Sequence, residues 1–272
     1  MQVFSSSPRE LVATVWRNRG LVRALVQREV VARYRGSFAG ILWSLFNPVF
    51  MLAVYTFVFS VVFKARWSGG SESRSEFALV LFAGMIVFSV FAETITRAPT
   101  TIISNPSYVK KVIFPLEILP CVALGSALFH ASVSILVWLA AYVLLFGLPH
   151  ATALLLPLVL LPLVLLTLGL SWLLASLGVY LRDVAQVVGI ATTAMMFMSP
   201  IFYPLSALPE QYRPLLLLNP LTPAVEQARA VLVWGQLPDF GMLAVYLVTS
   251  AVVAWLGFAW FQKTRRGFAD VL

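Results

Sequence analysis

The chain has 272 residues, of which 60% are hydrophobic and only 11% are charged, and its mean hydropathy is +0.91. A water-soluble domain is less apolar than this, so the composition predicts an integral membrane protein. The net charge of +8 raises the question of nucleic-acid binding, but the cations cluster at the ends of apolar runs, which is typical of membrane topology. We therefore predict no nucleic-acid partner. The single cysteine, Cys121, excludes an intrachain disulfide and a thiolate metal cluster, and we predict no metal site.

Residues 1–40 are predicted to form a cytoplasmic lead-in. Apolar residues such as Leu11, Val15 and Leu25 recur at spacings of three and four, with arginines between them. This pattern is typical of an amphipathic helix that lies in the membrane interface with its basic side toward lipid phosphates. A helix that binds a soluble partner is the alternative interpretation.

Six apolar runs follow, and each is long enough for a transmembrane helix, which needs about 20 residues. The predicted fold class is therefore an all-α integral membrane protein, with six transmembrane helices in a domain of residues 41–262. The third run is longer than one crossing needs, so we expect it to be tilted, or kinked at Pro115 or Pro120. The predicted spans are residues 41–63, 77–96, 113–146, 153–180, 184–203 and 240–262.

The distribution of cations predicts the orientation of these spans. With both termini in the cytoplasm, the tail 263–272 is cytoplasmic and all but five of the 19 lysines and arginines lie on that side. This is the asymmetry that the positive-inside rule requires, so we predict an even number of spans. The five cations left outside are Lys64, Arg66, Arg74, Arg213 and Arg229.

The segment 204–239, between the last two spans, is rich in proline and contains the apolar patches LLLLNPL and AVLVW. Each patch is too short to cross the membrane. Such patches are typical of short re-entrant helices, which are tolerated where protein or water satisfies the broken backbone. Interfacial helices on the outer surface are the alternative.

The sequence contains no pattern that predicts nucleotide binding or covalent catalysis. There is no G-x-x-x-x-G-K-[ST] loop, so any ATP and Mg²⁺ must bind a partner chain, and we predict that this chain binds no cofactor. His130 and His150 are isolated in the sequence. Glu93 and Glu117 lie near the ends of spans, where pairing with a nearby cation explains them as well as a functional role does.

Five motifs extend over nearly the whole chain: YRGSFAGILWSLFNPVF (34–50), NPSYVKKVIFPLEILP (105–120), LGVYLRDVAQVV (177–188), MSPIFYP (198–204) and LNPLTPAVEQAR (218–229). In this order and at these separations they resemble the motifs of ABC-2 type exporter permeases. The resemblance is greatest to the permeases that export O-antigen and related polysaccharides.

This resemblance implies a homodimer of six-span subunits, with an ABC ATPase subunit that binds ATP and Mg²⁺ docked beneath each. The cytoplasmic loop 97–112 is then expected to carry a coupling helix that contacts the ATPase, whereas without a partner it would be a solvated loop. The candidate coupling residues are Pro99, Asn105, Pro106, Tyr108, Lys110 and Lys111. The resemblance also implies that the short helices of 204–239 form an outer gate, with candidate residues Asn219, Pro220, Glu226 and Arg229.

The candidate channel residues are aromatic, because the CH faces of sugars pack on aromatic rings without selecting one register. Interfacial aromatic belts and ordinary packing are the alternative. The candidates are Trp43, Phe46, Phe50, Tyr55 and Phe57 on the first span, and Phe197, Phe202 and Tyr203 on the fifth.

Three cytoplasmic arginines, Arg28, Arg33 and Arg35, are candidates for binding the pyrophosphate of an undecaprenyl-linked polysaccharide. Guanidinium groups bind phosphate in a bidentate manner, which suits this substrate. Topological anchoring in the membrane surface explains the same residues without any substrate.

We therefore predict a half-transporter of the bacterial inner membrane that moves a lipid-linked polysaccharide outward, with ATP hydrolysed by its partner. An exporter of teichoic acid, capsule or a small hydrophobic molecule is the nearest alternative. A membrane transferase that acts on a lipid carrier is the alternative from a different class, and its activity would depend on Glu93 or Glu117.

Overall fold

The structure, a computed structural model, describes residues 5–62, 74–109 and 114–272, and within these ranges the protein is helical without strands. This confirms the predicted all-α class. In chain order the helices are α1 (Pro8–Arg17), α2 (Arg19–Tyr34), α3 (Trp43–Tyr55), α4 (Arg74–Arg97), α5 (Pro106–Val109), α6 (Ile118–Phe146), α7 (Leu156–Tyr180), α8 (Val184–Phe197), α9 (Arg213–Leu217), α10 (Leu221–Leu232), α11 (Phe240–Thr264) and α12 (Phe268–Val271).

Short 3₁₀ turns precede or follow several of these helices, and α3 continues as a π-helix over Thr56–Val62. Within the described ranges, five helical stretches are long and apolar enough to cross a membrane. They are Gly40–Phe59, Ser75–Thr100, Ile118–Phe146, Ala151–Tyr180 and Phe240–Val271. These stretches correspond to five of the six predicted spans and define a multi-pass membrane protein.

The remaining predicted span, 184–203, is helical only over α8, which has 14 residues. A helix of this length rises about 21 Å, whereas the hydrocarbon core is about 30 Å thick. Pro200 explains why the helix stops, because a proline disfavours helical geometry at the residue before it and has no N–H to donate. Phe202 and Tyr203 therefore lie in the turn beyond α8 rather than on a helix.

The prolines of the third predicted span do not interrupt its helix. Pro115 lies before α6, and Pro120 lies in its first turn, where a missing N–H costs little. The predicted kink is therefore absent at both positions, and the helix begins at Ile118 rather than at residue 113.

The N-terminal lead-in consists of two helices rather than one, because the helix is interrupted at Asn18 between α1 and α2. Ser7 caps the N-terminus of α1 by accepting a hydrogen bond from the backbone N–H of Glu10 at 3.2 Å. Arg17 donates to the carboxylate of Glu10 at 2.8 Å. This hydrogen bond lowers the pKa of the Glu10 carboxyl below its ordinary value.

Helix α4 lies at the centre of the fold. Within the span that contains it, 78% of the most apolar stretch is buried, against 6% for the span that contains α3. The indole N–H of Trp138, on α6, donates to the carbonyl of Leu79 on α4 at 2.9 Å. Most side chains of α3 are exposed in the single chain, and these exposed side chains face lipid or another subunit.

Helices α7 and α11 approach each other so closely that their backbones touch. Gly169 on α7 faces Gly257 on α11, and a Cβ added to Gly169 would lie 2.6 Å from the Cα of Ala254. A Cβ on Gly257 would collide with the carbonyl of Gly169. Small residues at such a crossing are typical of membrane helices, which associate through close backbone packing.

Candidate functional site

The aromatic residues predicted on the first span form an exposed row along α3. The rings of Trp43 and Phe46 are 5.1 Å apart in an edge-to-face arrangement, and those of Phe46 and Phe50 are stacked at 5.9 Å. Phe57, on the π-helical continuation, is also exposed, whereas Tyr55 is half-buried and packs against the core. Four of the five predicted residues are therefore open to a ligand, lipid or second subunit.

The aromatic residues predicted on the fifth span lie next to the continuation of the first. Phe197 stacks on Phe202 at 5.8 Å, and the Tyr203 hydroxyl donates to the carbonyl of Phe197 at 3.0 Å. Phe202 also stacks on Phe59 at 5.9 Å. Phe59, which the sequence analysis did not select, thus brings the π-helical continuation of α3 against the turn beyond α8. Its place in the same apolar run as Phe57 is the only sequence signal for it.

The three candidate phosphate-binding arginines have different surroundings. The guanidinium of Arg28 donates to the Tyr108 hydroxyl at 2.9 Å, and that of Arg33 forms an ion pair with Glu93 on α4. Arg35 follows the end of α2 and is exposed. All three side chains are exposed to solvent, and those of Arg28 and Arg33 are also engaged with groups of the protein.

Two glutamate–arginine pairs connect α2 with α4. Glu29 pairs with Arg97, and Arg33 pairs with Glu93. His130 on α6 completes the cluster, because its Nδ1 lies 3.0 Å from both carboxylate oxygens of Glu93. The sequence analysis missed Glu29. The sequence signal for it is that each helix carries a glutamate followed four residues later by an arginine. Two such helices side by side can pair the glutamate of each with the arginine of the other.

A cavity of about 230 Å³ lies beside this cluster, between the end of α2 and helices α3, α4 and α6. Its wall is apolar on one side and carries hydroxyl, amide and charged groups on the other. The polar lining residues are Arg33, Tyr34, Ser44, Asn47, Tyr55, Ser89, Glu93, His130 and Ser134. Such a cavity suits a ligand that has both polar and apolar parts.

The predicted coupling segment is packed against the transmembrane helices. Pro99 is buried, and its backbone touches Gly178 on α7, where a Cβ would clash. The Asn105 side chain donates to the carbonyl of Thr101 at 2.9 Å, just before α5 begins at Pro106. Tyr108 stacks on Phe114 with ring centroids 4.2 Å apart. Lys110 and Lys111 lie outside the described residues.

The predicted outer segment contains the short helices α9 and α10, and Asn219 holds the turn between them. The Asn219 amide donates to the hydroxyl of Ser199 at 3.0 Å, and its oxygen accepts from the backbone N–H of Leu221 at 3.0 Å. Pro220 lies directly before the first residue of α10. Asn219 therefore connects the start of α10 with the turn beyond α8.

Arg229, on α10, is only 1% exposed, although the sequence analysis counts it among the outer cations. Its guanidinium donates to the carbonyl of Val80 at 3.1 Å and to that of Ile201 at 2.7 Å, and it also donates to the carbonyl of Pro200. The carboxylate of Glu226 pairs with it at 3.0 Å. One buried cation thus joins α10, α4 and the turn beyond α8.

Glu117 and Glu93, on which a transferase would depend, are both held in ion pairs. Glu117 is buried and pairs with Arg265 from the C-terminal end of α11, which also donates to the carbonyl of Phe114 at 2.8 Å. Neither carboxylate is therefore arranged as an unpaired acid or base.

Among the described residues, the five long apolar helices, the packed segment that follows α4 and the short helices α9 and α10 define a multi-pass membrane protein. The chain belongs to the ABC-2 type transporter family, whose sequence profile matches residues 20–233. This confirms the resemblance stated above.

Curated relatives match nearly the full chain. The O-antigen export system permease protein RfbA of Myxococcus xanthus is 31% identical over 262 residues, which are 96% of this chain and 98% of the relative. A protein of the same name from Klebsiella pneumoniae is 24% identical over 93% of this chain and 95% of its own length. The polysialic acid transport protein KpsM of Escherichia coli is 25% identical over 89% of this chain and 92% of its own length.

Proposed function

We propose that this chain is the permease subunit of an exporter that moves a lipid-linked polysaccharide of the O-antigen type across the bacterial inner membrane. The observation that carries the proposal is the full-length match to the Myxococcus xanthus relative, which is named as an O-antigen export permease. The match to the polysialic acid transport protein supports a polysaccharide cargo more generally. A second copy of the chain and two ABC ATPase subunits complete the transporter.

In this proposal the chain crosses the membrane six times, and both termini are cytoplasmic. The fifth crossing consists of α8 together with the turn up to residue 203, and α9 and α10 re-enter the membrane from outside without crossing it. The shortness of α8 and the buried polar contacts of Arg229 support this interpretation, because a broken backbone at membrane depth needs such partners.

The cargo passes along the aromatic surface formed by α3 and the turn beyond α8. Exposure of Phe46, Phe50 and Phe197 supports a wall on which sugar rings slide, with the second copy supplying the opposite wall. The outer end of this path is gated by Asn219, Pro220, Glu226 and Arg229. Arg229 contributes by holding the gate in place, because its guanidinium is already occupied by carbonyls of the protein.

On the cytoplasmic side, Arg28, Arg33 and Arg35 attract the pyrophosphate of the lipid carrier. All three are exposed, and Arg35, which follows the end of α2, makes the first contact. At Arg33, phosphate oxygens would replace the carboxylate of Glu93, and the cavity of about 230 Å³ beside that pair supports a headgroup at this position.

ATP and Mg²⁺ bind the partner subunit, which docks on the segment 97–112. Among the described residues of α5, Pro106 and Ser107 are exposed and form its tip, while Pro99 and Tyr108 fix the segment to the rest of the chain. A segment that is exposed at its tip and packed at its base is suited to transmit a force.

The proposal is tested by substituting the tip without disturbing the base. We expect Ser107→Trp to weaken ATPase binding about tenfold or more, equivalent to about 1.4 kcal/mol, because a bulky side chain then occupies the docking surface. The measurement is binding and ATP-dependent polysaccharide translocation in proteoliposomes that contain this chain and its candidate ATPase.

The matched control is Ser5→Trp, which adds the same side chain at an exposed position of the lead-in and is expected to leave binding and transport unchanged. If the wild-type chain alone processes a lipid-linked substrate without ATP, the transporter proposal is wrong and the membrane transferase takes its place.

A further inference from the structure

We propose that the pairs Glu29–Arg97 and Arg33–Glu93 form a reciprocal lock that makes the interface helix α2 move together with the coupling segment. The inference rests on the proposed coupling role of 97–112 and assigns positioning roles to four residues around it. None of the four is proposed to contact ATP or the ATPase.

The first observation is where the lock is attached. Arg97 is the last residue of α4, and the coupling segment begins directly after it. Glu93 lies one turn earlier, so the two α4 positions place their charges on the same side of the helix. Any displacement of the coupling segment therefore reaches Arg97 before it reaches the membrane-spanning part of α4.

The second observation is what lies between the two helices. A cavity of about 650 Å³ separates α2 from α4 at this level, and the four charged side chains are among its lining residues. The long side chains thus cross an open space rather than an apolar interface. Contact between α2 and α4 at this level is therefore electrostatic and depends on the sign of the charges.

The third observation is that α2 has a separate apolar attachment to α6. Leu25 is buried in a cluster with Ile118 and Val122, and Val26 lies against Gly125, where a Cβ would come within 2.6 Å of its Cγ2. This attachment holds α2 on the bundle without the ion pairs. Removing a charge is therefore expected to let α2 move independently of the coupling segment, while α2 stays attached to α6.

The fourth observation is a polar contact between α2 and α5. Arg28 donates to the Tyr108 hydroxyl at 2.9 Å, so a second point of the coupling segment is linked to the same helix. A single partly exposed ion pair contributes little to stability. The connection between α2 and the coupling segment therefore depends on the two pairs and this hydrogen bond together. His130 orients Glu93 from the side of α6.

The test is a charge exchange between α2 and α4 in the complex with the ATPase. Glu29→Arg alone places two cations opposite each other, and Arg97→Glu alone places two carboxylates together. Each single variant is expected to lose about tenfold in ATP-dependent translocation while still hydrolysing ATP. The double variant restores opposite charges and is expected to return to within about threefold of wild type.

The second readout is the distance between spin labels attached at positions 23 and 104, on α2 and in the coupling segment before α5. We expect one narrow distance distribution in the wild type with and without ATP, a broader distribution in each single variant, and a narrow one again in the double variant. Glu10→Arg, which breaks an ion pair inside α1, is the control and is expected to change neither readout.

A double variant as defective as the single ones would overturn the lock, and so would single variants that transport normally. If a charge reversal prevents folding, Glu29→Gln removes the charge without repulsion, and unchanged coupling in that variant also overturns the proposal. The proposed function fails separately, when the wild-type complex shows no ATP-dependent transport. The spin-label distances still test the lock in that case.

Discussion

Gly257→Ala is expected to destabilise the protein by about 3 kcal/mol, which is the upper part of the range for overpacking a tight interface. The added Cβ collides with the carbonyl of Gly169, and a backbone atom cannot turn away as a flexible side chain can. Helices α7 and α11 must therefore separate, which also removes the packing of Trp172 against Phe258 at 5.2 Å. The measurement is the apparent free energy of unfolding in detergent.

The control for this prediction is the same substitution at another helical glycine. A Cβ on Gly189, in α8, meets no atom within 4 Å. Because alanine favours a helix over glycine by about 1 kcal/mol, Gly189→Ala is expected to leave stability unchanged or to raise it. The two variants thus differ in sign, and an equal effect of both would contradict the described packing of α7 and α11.

Arg229→Met is expected to cost about 3–5 kcal/mol, the amount typical of removing one partner from a buried charged contact. The substitution leaves the carbonyls of Val80, Pro200 and Ile201 without their donor, and burying an unpaired polar group is costly. The turn beyond α8 then keeps the Asn219 contact as its attachment to α10. We expect lower thermal stability and faster proteolysis within the segment 204–239.

Two further variants separate charge from geometry at this position. Arg229→Lys keeps the positive charge but lacks the planar guanidinium, so it cannot donate to all three carbonyls at once. Its stability is expected to lie between that of the wild type and that of Arg229→Met. Arg213→Met removes an arginine from the same outer segment whose side chain is 40% exposed. It is expected to cost less than about 1 kcal/mol, and a loss equal to that of Arg229→Met would contradict the special role of the buried site.

The gate proposal makes a functional prediction for the same variants. If Arg229 only holds the outer segment in place, Arg229→Lys retains transport in proportion to the folded protein it yields. A stable Arg229→Lys protein that leaks small ions through the liposome membrane would instead indicate that the guanidinium helps to seal the channel. Ion flux and folded fraction are measured on the same preparation.

Hydrophobicity determined the class and the order of the five long spans, and the sequence motifs determined the family. An apolar run of more than about 20 residues is most favourably placed across the lipid bilayer. It must be helical there, because each backbone polar group left unpaired in lipid is costly. The predicted positions of five spans are therefore confirmed. The motifs around Asn47 and Asn219 sufficed for the family resemblance, since they depend on local sequence only.

What only the tertiary structure decided is which polar and small residues meet. Glu29 and Arg97 are 68 positions apart, and Arg229 and Val80 are 149 apart, so no local pattern relates them. Their pairing follows from the helix packing set by contacts such as Gly169 with Gly257. A buried arginine and an exposed one look alike in a sequence, and the difference arises because a cation can be buried only where the fold assembles acceptors around it.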